Sequence, residues 1–184
     1  MTRLEAIIRS DPDLMRLLEY FRGVGLPQWR LVSGCLYQTV WNVLTNRPRG
    51  TGIQDFDIIY FDGGDLSWEA EDAVIRSVTV SGPVQIRNQA RVHLWYEQHF
   101  SAPYSPLLTA DEALTRYPVR VQAVGARLED DGRLDIAAPF GLDDVFSMVM
   151  RPNRAFEHRA TFETKAARAR LVWPEITIVD GRGE

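Results

Sequence analysis

Two aspartates, Asp55 and Asp57, have the residue type and spacing most suited to chemistry in this 184-residue chain. They lie in residues 51–62, which are rich in β-branched and aromatic side chains and flanked by glycines, a composition typical of a strand. Side chains alternate across a strand, so both carboxylates would project from one face, roughly 7 Å apart. Like charges so placed repel each other, and a bound cation removes that repulsion. The pair alone leaves open whether it is a metal site or a strand end that emerges into solvent.

A glycine lies upstream of the aspartates, at the junction of a predicted strand and a predicted helix. Gly34 follows the strand predicted over residues 29–33 and precedes the helix predicted over residues 35–45. Such a glycine lets backbone N–H groups and the positive helix end approach a phosphate closely, with Ser33 and Gly34 at the contact. A carboxylate pair on the next strand could hold Mg²⁺ or Mn²⁺, with phosphate oxygens completing the coordination. Together these features predict a site for a nucleoside triphosphate and its metals.

Predicted helices and strands alternate along the chain, and one hairpin lies late in it. Further helices are expected over residues 2–10, 12–23, 68–77, 88–100, 111–117, 139–150 and 156–171, and strands over residues 84–87, 119–128 and 134–138. This order predicts an α+β fold with a mixed β-sheet flanked by helices. We expect one domain over residues 1–184, with N-terminal helices in 1–25, a core in 29–150 and a C-terminal helix in 154–173.

The composition excludes several classes of function. A net charge of −4 argues against general nucleic-acid binding or attachment to an anionic membrane, and no run of residues approaches a membrane span. Cys35 is the only cysteine and Lys165 the only lysine, in a charged helical stretch that is a poor setting for Schiff-base chemistry. A lone cysteine and the absence of a signal-peptide pattern predict a cytoplasmic protein. The sequence does not predict the oligomeric state.

Five segments resemble a bacterial family of nucleotidyltransferases of undetermined substrate, within the DNA polymerase β-type superfamily. They are residues 33–42, 52–62, 65–71, 88–96 and 138–144, with residues 152–153 adjoining them. The resemblance implies a nucleotidyltransferase-type core with Gly34 at the phosphates and Asp55 and Asp57 at the metals as catalytic residues. It implies no particular acceptor.

The chain departs from the broader superfamily pattern at two kinds of position. Cys35 stands where a serine is usual, and the gap between Gly34 and Asp55 is longer than usual. A third carboxylate normally follows on a later strand, but the nearest position here holds Gln85. Asp135 is the other candidate for this third metal ligand.

Four arginines are candidates for phosphate contacts. Arg47 and Arg49 lie in the loop before the aspartates, where exposed arginines are also common. Arg87 and Arg91 are expected one helical turn apart, and guanidinium pairs match phosphate geometry. A surface ladder of salt bridges explains this second pair equally well.

Two other kinds of chemistry have weaker support in the sequence. His93 and Glu97 are one helical turn apart, but the chain lacks the H-E-x-x-H pattern of a zinc site. Cys35 at a helix N-terminus could be a nucleophile, although a buried structural cysteine is the more common case.

Three functions follow, in decreasing order of support. The first is a metal-dependent transferase that moves a nucleotidyl group from an NTP to an unknown acceptor. The second is a nucleotide-binding or regulatory protein with the same fold and no catalysis, which Gln85 favours and the intact Asp55 and Asp57 pair opposes. The third is a D-x-D glycosyltransferase, whose chains are usually longer.

Overall fold

The structure, a computed structural model, describes residues 1–156 and 158–179. Its helices are α1 (Arg3–Ser10), α2 (Pro12–Val24), α3 (Gly34–Leu44), α4 (Trp68–Ser77), α5 (His93–Phe100), α6 (Ala110–Leu114), α7 (Asp143–Phe146) and α8 (Arg159–Val172). Its strands are β1 (Arg30–Val32), β2 (Phe56–Tyr60), β3 (Val84–Asn88), β4 (Gly125–Leu128), β5 (Leu134–Ala137), β6 (Val149–Met150) and β7 (Thr177–Ile178).

Five strands form one mixed sheet in the order β3-β2-β1-β4-β5. β2 and β3 run parallel, whereas β1 pairs antiparallel with β2 and β4, and β4 pairs antiparallel with β5. The parallel pair is joined through α4, because parallel neighbours need a crossover connection. The predicted α+β class with a mixed sheet is confirmed. β6 and β7 form a separate two-stranded pair.

The N-terminal helices begin and end where the sequence predicts. Thr2 and Glu5 form a reciprocal capping box at the start of α1. The Asp11 carboxylate accepts hydrogen bonds from two backbone N–H groups of the first turn of α2, which starts at Pro12. Gly25 ends α2 in the left-handed conformation, at φ 72°.

Two tryptophans fix α3 against the elements that follow in the chain. Trp41 is fully buried, and its indole N–H donates to the Val145 carbonyl at 2.9 Å. Its ring meets Trp173 edge-to-face, with 5.3 Å between centroids, and the Trp173 indole N–H donates to Asn42 Oδ1 at 3.1 Å. The end of α8 is therefore packed against α3, whose N-terminus faces the sheet.

Three predicted elements differ from the structure for local reasons. Residues 119–128 start with a 3-10 turn, Arg120–Gln122, because consecutive buried residues at 121–124 break the alternation of a strand. The helix predicted over 139–150 shrinks to α7, since Gly141 and Met148 have positive φ angles of 73° and 53°. The segment predicted as a helix over 88–100 begins with a 3-10 turn, and α5 follows it. The turn forms because the Asn88 side chain accepts a hydrogen bond from the N–H of Ala90.

Two predicted boundaries also move. The strand predicted over residues 51–62 shortens to β2, and the last helix begins at Arg159 rather than at residue 156. Among residues 1–156 and 158–179, no helix combines the length and apolar character needed to cross a membrane.

Candidate active site

The two aspartates lie at the start of the central strand β2. Asp57 is the second residue of β2 and Asp55 immediately precedes the strand. Asp57 is in register with Val32 of β1 on one side and with Gln85 of β3 on the other. The strand continues into three buried residues, Ile58–Tyr60, which hold this end of β2 against the core.

The negative charge of Asp57 is only partly compensated by neighbouring cations. Burial and, to a smaller extent, the charge of Asp55 raise the pKa of Asp57 to about 6, against the opposing charges of Lys165 and Arg87. Within residues 1–156 and 158–179, the Asp57 carboxylate has no hydrogen-bond or ion-pair partner. A cation placed between the two carboxylates would lower the energy of both.

The two candidates for a third metal ligand lie in different places. Gln85 is adjacent to the pair, and its side-chain amide donates to Asp55 Oδ2 at 2.5 Å. Asp135 lies on β5, three strand spacings from β2, which is about 14 Å. There its carboxylate accepts a hydrogen bond from Arg30 at 2.8 Å. The structure does not bring Asp135 together with Asp55 and Asp57, because the hairpin β4–β5 is on the far side of β1.

The strand-to-helix turn at Ser33 and Gly34 forms as predicted, next to the carboxylates. Ser33 has φ 64° and ψ −124°, a conformation that costs a non-glycine residue about 1–3 kcal/mol. Its N–H donates to the Val124 carbonyl at 2.9 Å, which holds the turn in place. Helix α3 starts at Gly34, where an added Cβ would contact only the Gln38 side chain, at 3.7 and 3.9 Å. The fold itself therefore tolerates a side chain at Gly34.

Helix α8 supplies two cations that the sequence interpretation missed. Lys165 and Arg168 are one turn apart and line the space beside Asp55 and Asp57. Desolvation lowers the pKa of Lys165, while the charge of Asp57 opposes this shift. The only available signal was the helical spacing of Thr161, Lys165 and Arg168, which identifies one face of α8.

Gly52, in the loop that leads to Asp55, packs against Trp173 at the end of α8. Gly52 has φ 77°, and a Cβ there would lie 2.4 Å from Cη2 of Trp173. The backbone of this loop thus lies directly against the indole ring, and only glycine fits.

Two cavities meet at Asp57. A polar cleft of about 80 Å³ is lined by Gly34, Asp55 and Arg168, among other residues. An aromatic cavity of about 320 Å³ lies on the other side and includes Gln85. Four residues line both spaces: Ser33, Asp57, Gln122 and Lys165.

The aromatic cavity takes its character from α5 and the segments packed against it. The rings of Tyr96 and Tyr104 lie 4.4 Å apart between centroids, and the Tyr96 hydroxyl is 2.7 Å from His158 Nε2. The Arg116 guanidinium lies over the Tyr104 ring at 5.6 Å. Trp95 also lines the cavity, and its indole nitrogen is buried with no acceptor in the described part of the chain. A flat, apolar ligand with an acceptor group suits this space.

The four candidate arginines separate in the structure. Arg47 forms an ion pair with Glu175 at 2.8 Å, and Arg47 and Arg49 line a small cavity near the junction of α1 and α2, apart from the carboxylates. Arg91 lies on the 3-10 turn after β3 and is bound to buried Glu71.

Arg87 is the only one of the four that lines either of the two cavities at Asp57. It belongs to β3, which agrees with the strand predicted over residues 84–87, so the expectation that Arg87 and Arg91 lie one helical turn apart was wrong. Asn88 ends the strand between them and starts the turn.

The structure also shows the surroundings of Cys35, the possible nucleophile, and of His93 and Glu97, the possible zinc ligands. Cys35 is buried, and burial with the nearby charge of Asp57 raises the pKa of its thiol well above the usual value, as in a structural cysteine. No group of three or more His, Cys, Asp or Glu side chains suited to a metal occurs in the described ranges. His93 and Glu97 therefore have no third ligand of these types there.

Comparisons with known proteins agree with the resemblance seen in the sequence. A family model described as nucleotidyltransferase matches residues 19–178. Comparison with curated proteins gives no match. One solved structure, an NMR structure described as revealing a CCA-adding enzyme head domain, is similar over 96% of this chain and 94% of its own, with 26% identity and a TM-score of 0.78.

Larger enzymes share the fold at lower identity. A CCA-adding enzyme in complex with CTP matches 96% of this chain at 15% identity and a TM-score of 0.54. The Thermotoga maritima CCA-adding enzyme complexed with tRNA matches 97% of it at 16% identity and a TM-score of 0.52. The chain spans 43% and 42% of these two proteins.

The first prediction concerns the pH dependence of stability without metal. Because the folded-state pKa of Asp57 is raised from 3.8 to about 6, its contribution to stability is fully present below pH 3.8 and is lost as the pH rises through 6. Above pH 6, the unfolding free energy of Asp57→Asn should therefore exceed that of the wild type by about 1–3 kcal/mol. Near pH 4 the two unfolding free energies should match. Chemical denaturation in EDTA at several pH values measures this.

The matched control is Asp130→Asn, in the exposed turn between β4 and β5. It should follow the wild-type curve at every pH. A lower stability of Asp57→Asn above pH 6 would mean that the carboxylate has a structural partner.

The second prediction concerns the turn at Gly34. Gly34→Val should fold, because the new side chain meets only Gln38, but it should weaken binding of Mg·NTP by about tenfold or more, or ~1.4 kcal/mol, by filling the approach to the helix N-terminus. Calorimetric titration with each NTP measures the affinity, and a circular dichroism melt checks the fold. Undiminished affinity in the folded variant would remove Gly34 from the binding site.

Proposed function

Because the chain belongs to the nucleotidyltransferase family, we propose that it transfers a nucleotidyl group from an NTP to an acceptor, with Mg²⁺ or Mn²⁺ bound at Asp55 and Asp57. The observation that carries the proposal is the position of these two carboxylates, beside the N-terminus of α3 and with the charge of Asp57 only partly compensated by Lys165 and Arg87. A triphosphate with a divalent metal supplies that compensation.

The donor set at the aspartates fits a divalent metal. Asp55 and Asp57 offer carboxylate oxygens and Gln85 offers an amide oxygen, which are ligands that Mg²⁺ prefers. The amide of Gln85 donates to Asp55 in the structure and would have to rotate to present its oxygen. A metal bound here would neutralise charge on the phosphates and position the attacking oxygen.

The residues around the polar cleft suit the phosphates of the donor. The backbone of Ser33 and Gly34 presents the N-terminus of α3, and Lys165 and Arg168 add positive charge from the opposite side. At about 80 Å³, the polar cleft has room for phosphates rather than for a whole nucleotide. Arg47, Arg49 and Arg91 are bound or placed elsewhere, so we assign phosphate contacts to Lys165 and Arg168.

The aromatic cavity suits the organic part of a substrate. It adjoins Asp57 and Gln85 and has the size of a small-molecule site, and aromatic rings stack on nucleobases and other planar groups. The acceptor is not identified. The CCA-adding enzyme of Thermotoga maritima was solved with tRNA, but this chain spans less than half of that enzyme, and its net charge of −4 gives no general basic surface.

A catalytically inactive nucleotide-binding protein is the second candidate. The observation that favours it is Gln85, a neutral side chain beside the aspartates where a third carboxylate would strengthen a metal site. The intact pair of aspartates argues for catalysis.

Two broader expectations are also part of this proposal. We infer that residues 1–184 act as one domain, since a single buried cluster joins Leu4 in α1 to Ile176 after α8. The cytoplasmic location predicted from the lone Cys35 stays a prediction.

The third prediction tests the proposed function directly. Asp55→Asn and Asp57→Asn should each weaken metal-dependent binding of NTP by about tenfold or more, because each removes one of two charged metal ligands. Both should abolish Mg²⁺-dependent release of pyrophosphate. Calorimetry with the four NTPs and a coupled pyrophosphate assay, with and without added tRNA, measure the two effects.

Asp130→Asn again serves as the matched exposed control. If the wild type binds Mg·NTP but releases no pyrophosphate with any acceptor tried, the inactive nucleotide-binding protein is favoured. Binding that is insensitive to both aspartate substitutions would exclude the proposed metal site.

The fourth prediction separates the two candidates for the third ligand. Gln85→Glu should raise turnover while NTP affinity changes little, because it adds a charge next to Asp55 and Asp57 on the side away from the polar cleft. Asp135→Asn should leave turnover unchanged and lower stability, since it breaks the bond to Arg30. Steady-state kinetics and thermal melts measure both. Loss of activity in a folded Asp135→Asn protein would contradict the assignment.

A further inference from the structure

A third cavity, of about 350 Å³, lies outside the candidate active site. It is a half-open space between the 3-10 turn that starts at Arg120 and the segment after β6, which contains Arg151 and Arg154. Phe140 forms an aromatic wall. We call this space, defined by Arg120, Phe140, Arg151 and Arg154, the arginine cavity. None of these four residues lines the polar cleft or the aromatic cavity.

Arg120 lines this cavity and has a buried donor without a partner in the described residues. Its guanidinium lies over the Phe140 ring, 4.9 Å from the centroid, which holds the planar group in one orientation. Its Nε atom is buried, and no acceptor for it occurs within residues 1–156 and 158–179. A buried donor that lacks an acceptor is costly, so an anionic ligand would stabilise this arrangement.

Arg151 is held in place by a neighbouring carboxylate. Its Nε lies 2.9 and 3.0 Å from the two Asp144 oxygens, so the salt bridge fixes the guanidinium while its terminal nitrogens stay available. Arg154 is exposed at the same cavity. Within the described residues, the three guanidinium groups and the carboxylate of Asp144 leave an excess of two positive charges, which matches a phosphate monoester at neutral pH.

We propose that the arginine cavity binds the phosphate group of a small phosphorylated molecule, at a site separate from the polar cleft. Guanidinium groups bind phosphate oxygens in pairs, and the three arginines approach from two different segments of the chain. A small ligand is favoured over a polynucleotide backbone because the cavity has the volume of a small-molecule site and the chain has a net charge of −4.

The arginine cavity is joined to the candidate active site through one short element. Arg120 and Gln122 belong to the same 3-10 turn, and Gln122 lines both the polar cleft and the aromatic cavity. A ligand that holds Arg120 therefore also holds the turn that presents Gln122.

The test is calorimetric titration of the full chain with inorganic pyrophosphate and with ribose 5-phosphate, both in EDTA. Without metal, the charges of Asp55 and Asp57 disfavour an anion in the polar cleft, so binding there is suppressed. Arg120→Gln and Arg154→Gln should each raise the dissociation constant about tenfold or more, the effect of losing a charge-assisted hydrogen bond. Arg154 is exposed, so its variant reports on binding even if Arg120→Gln fails to fold.

Two controls separate this site from the other cavities. Arg133→Gln removes an exposed arginine whose partner is Asp131 and should change nothing. Lys165→Gln alters the polar cleft and the aromatic cavity but not the arginine cavity, and should leave this binding intact. If Lys165→Gln loses binding while Arg120→Gln and Arg154→Gln keep it, the ligand belongs to the polar cleft and the proposal is overturned. If neither pyrophosphate nor ribose 5-phosphate binds, the proposal is overturned too. Tighter binding of a single-stranded RNA 12-mer that depends on Arg120 would replace the small ligand with a polynucleotide.

Discussion

The repulsion between the carboxylates of Asp55 and Asp57 is the constraint on which the rest of the site depends. Their position at the start of a central strand, with Ile58–Tyr60 buried behind them, prevents the two charges from moving apart into water. The protein reduces the resulting cost only partly, through Lys165 and Arg87, and the pKa of Asp57 stays raised at about 6. In the proposed function, a cation with phosphate oxygens around it would remove the rest of this cost.

The elements around the aspartates divide the surroundings into two spaces of different character. The N-terminus of α3 and the basic face of α8 make one side polar and positive. The rings of α5 and of Tyr104 make the other side flat and apolar. Nucleotidyl transfer needs this division, because the departing pyrophosphate is highly charged whereas the groups that stay are partly apolar.

Local sequence signals predicted the centre of the site but not its periphery. The spacing of Asp55 and Asp57 and the glycine at a strand-to-helix turn depend on short-range rules, and the structure has both features as expected. Lys165 and Arg168 were missed because only the packing of α8 against α3, through Trp41 and Trp173, decides which face of that helix meets the aspartates. Arg87 and Arg91 were expected one helical turn apart because their spacing of four residues fits a helix. That spacing does not reveal that β3 ends between them, at Asn88. Asp135 was an acid on a strand, and only the strand order shows that it lies on the distant edge of the sheet.

The contact between Gly52 and Trp173 has a mechanical consequence. The loop backbone lies against the indole ring without space for even a methyl group, and this loop ends three residues later at Asp55. The same indole is held by Asn42 and by the Trp41 ring, so it cannot move away on its own. The loop from Gly52 to Asp55 and helix α8, which carries Lys165 and Arg168, are therefore packed together as one unit. Any drift of that helix would carry the loop with it and preserve the spacing between the negative and positive groups.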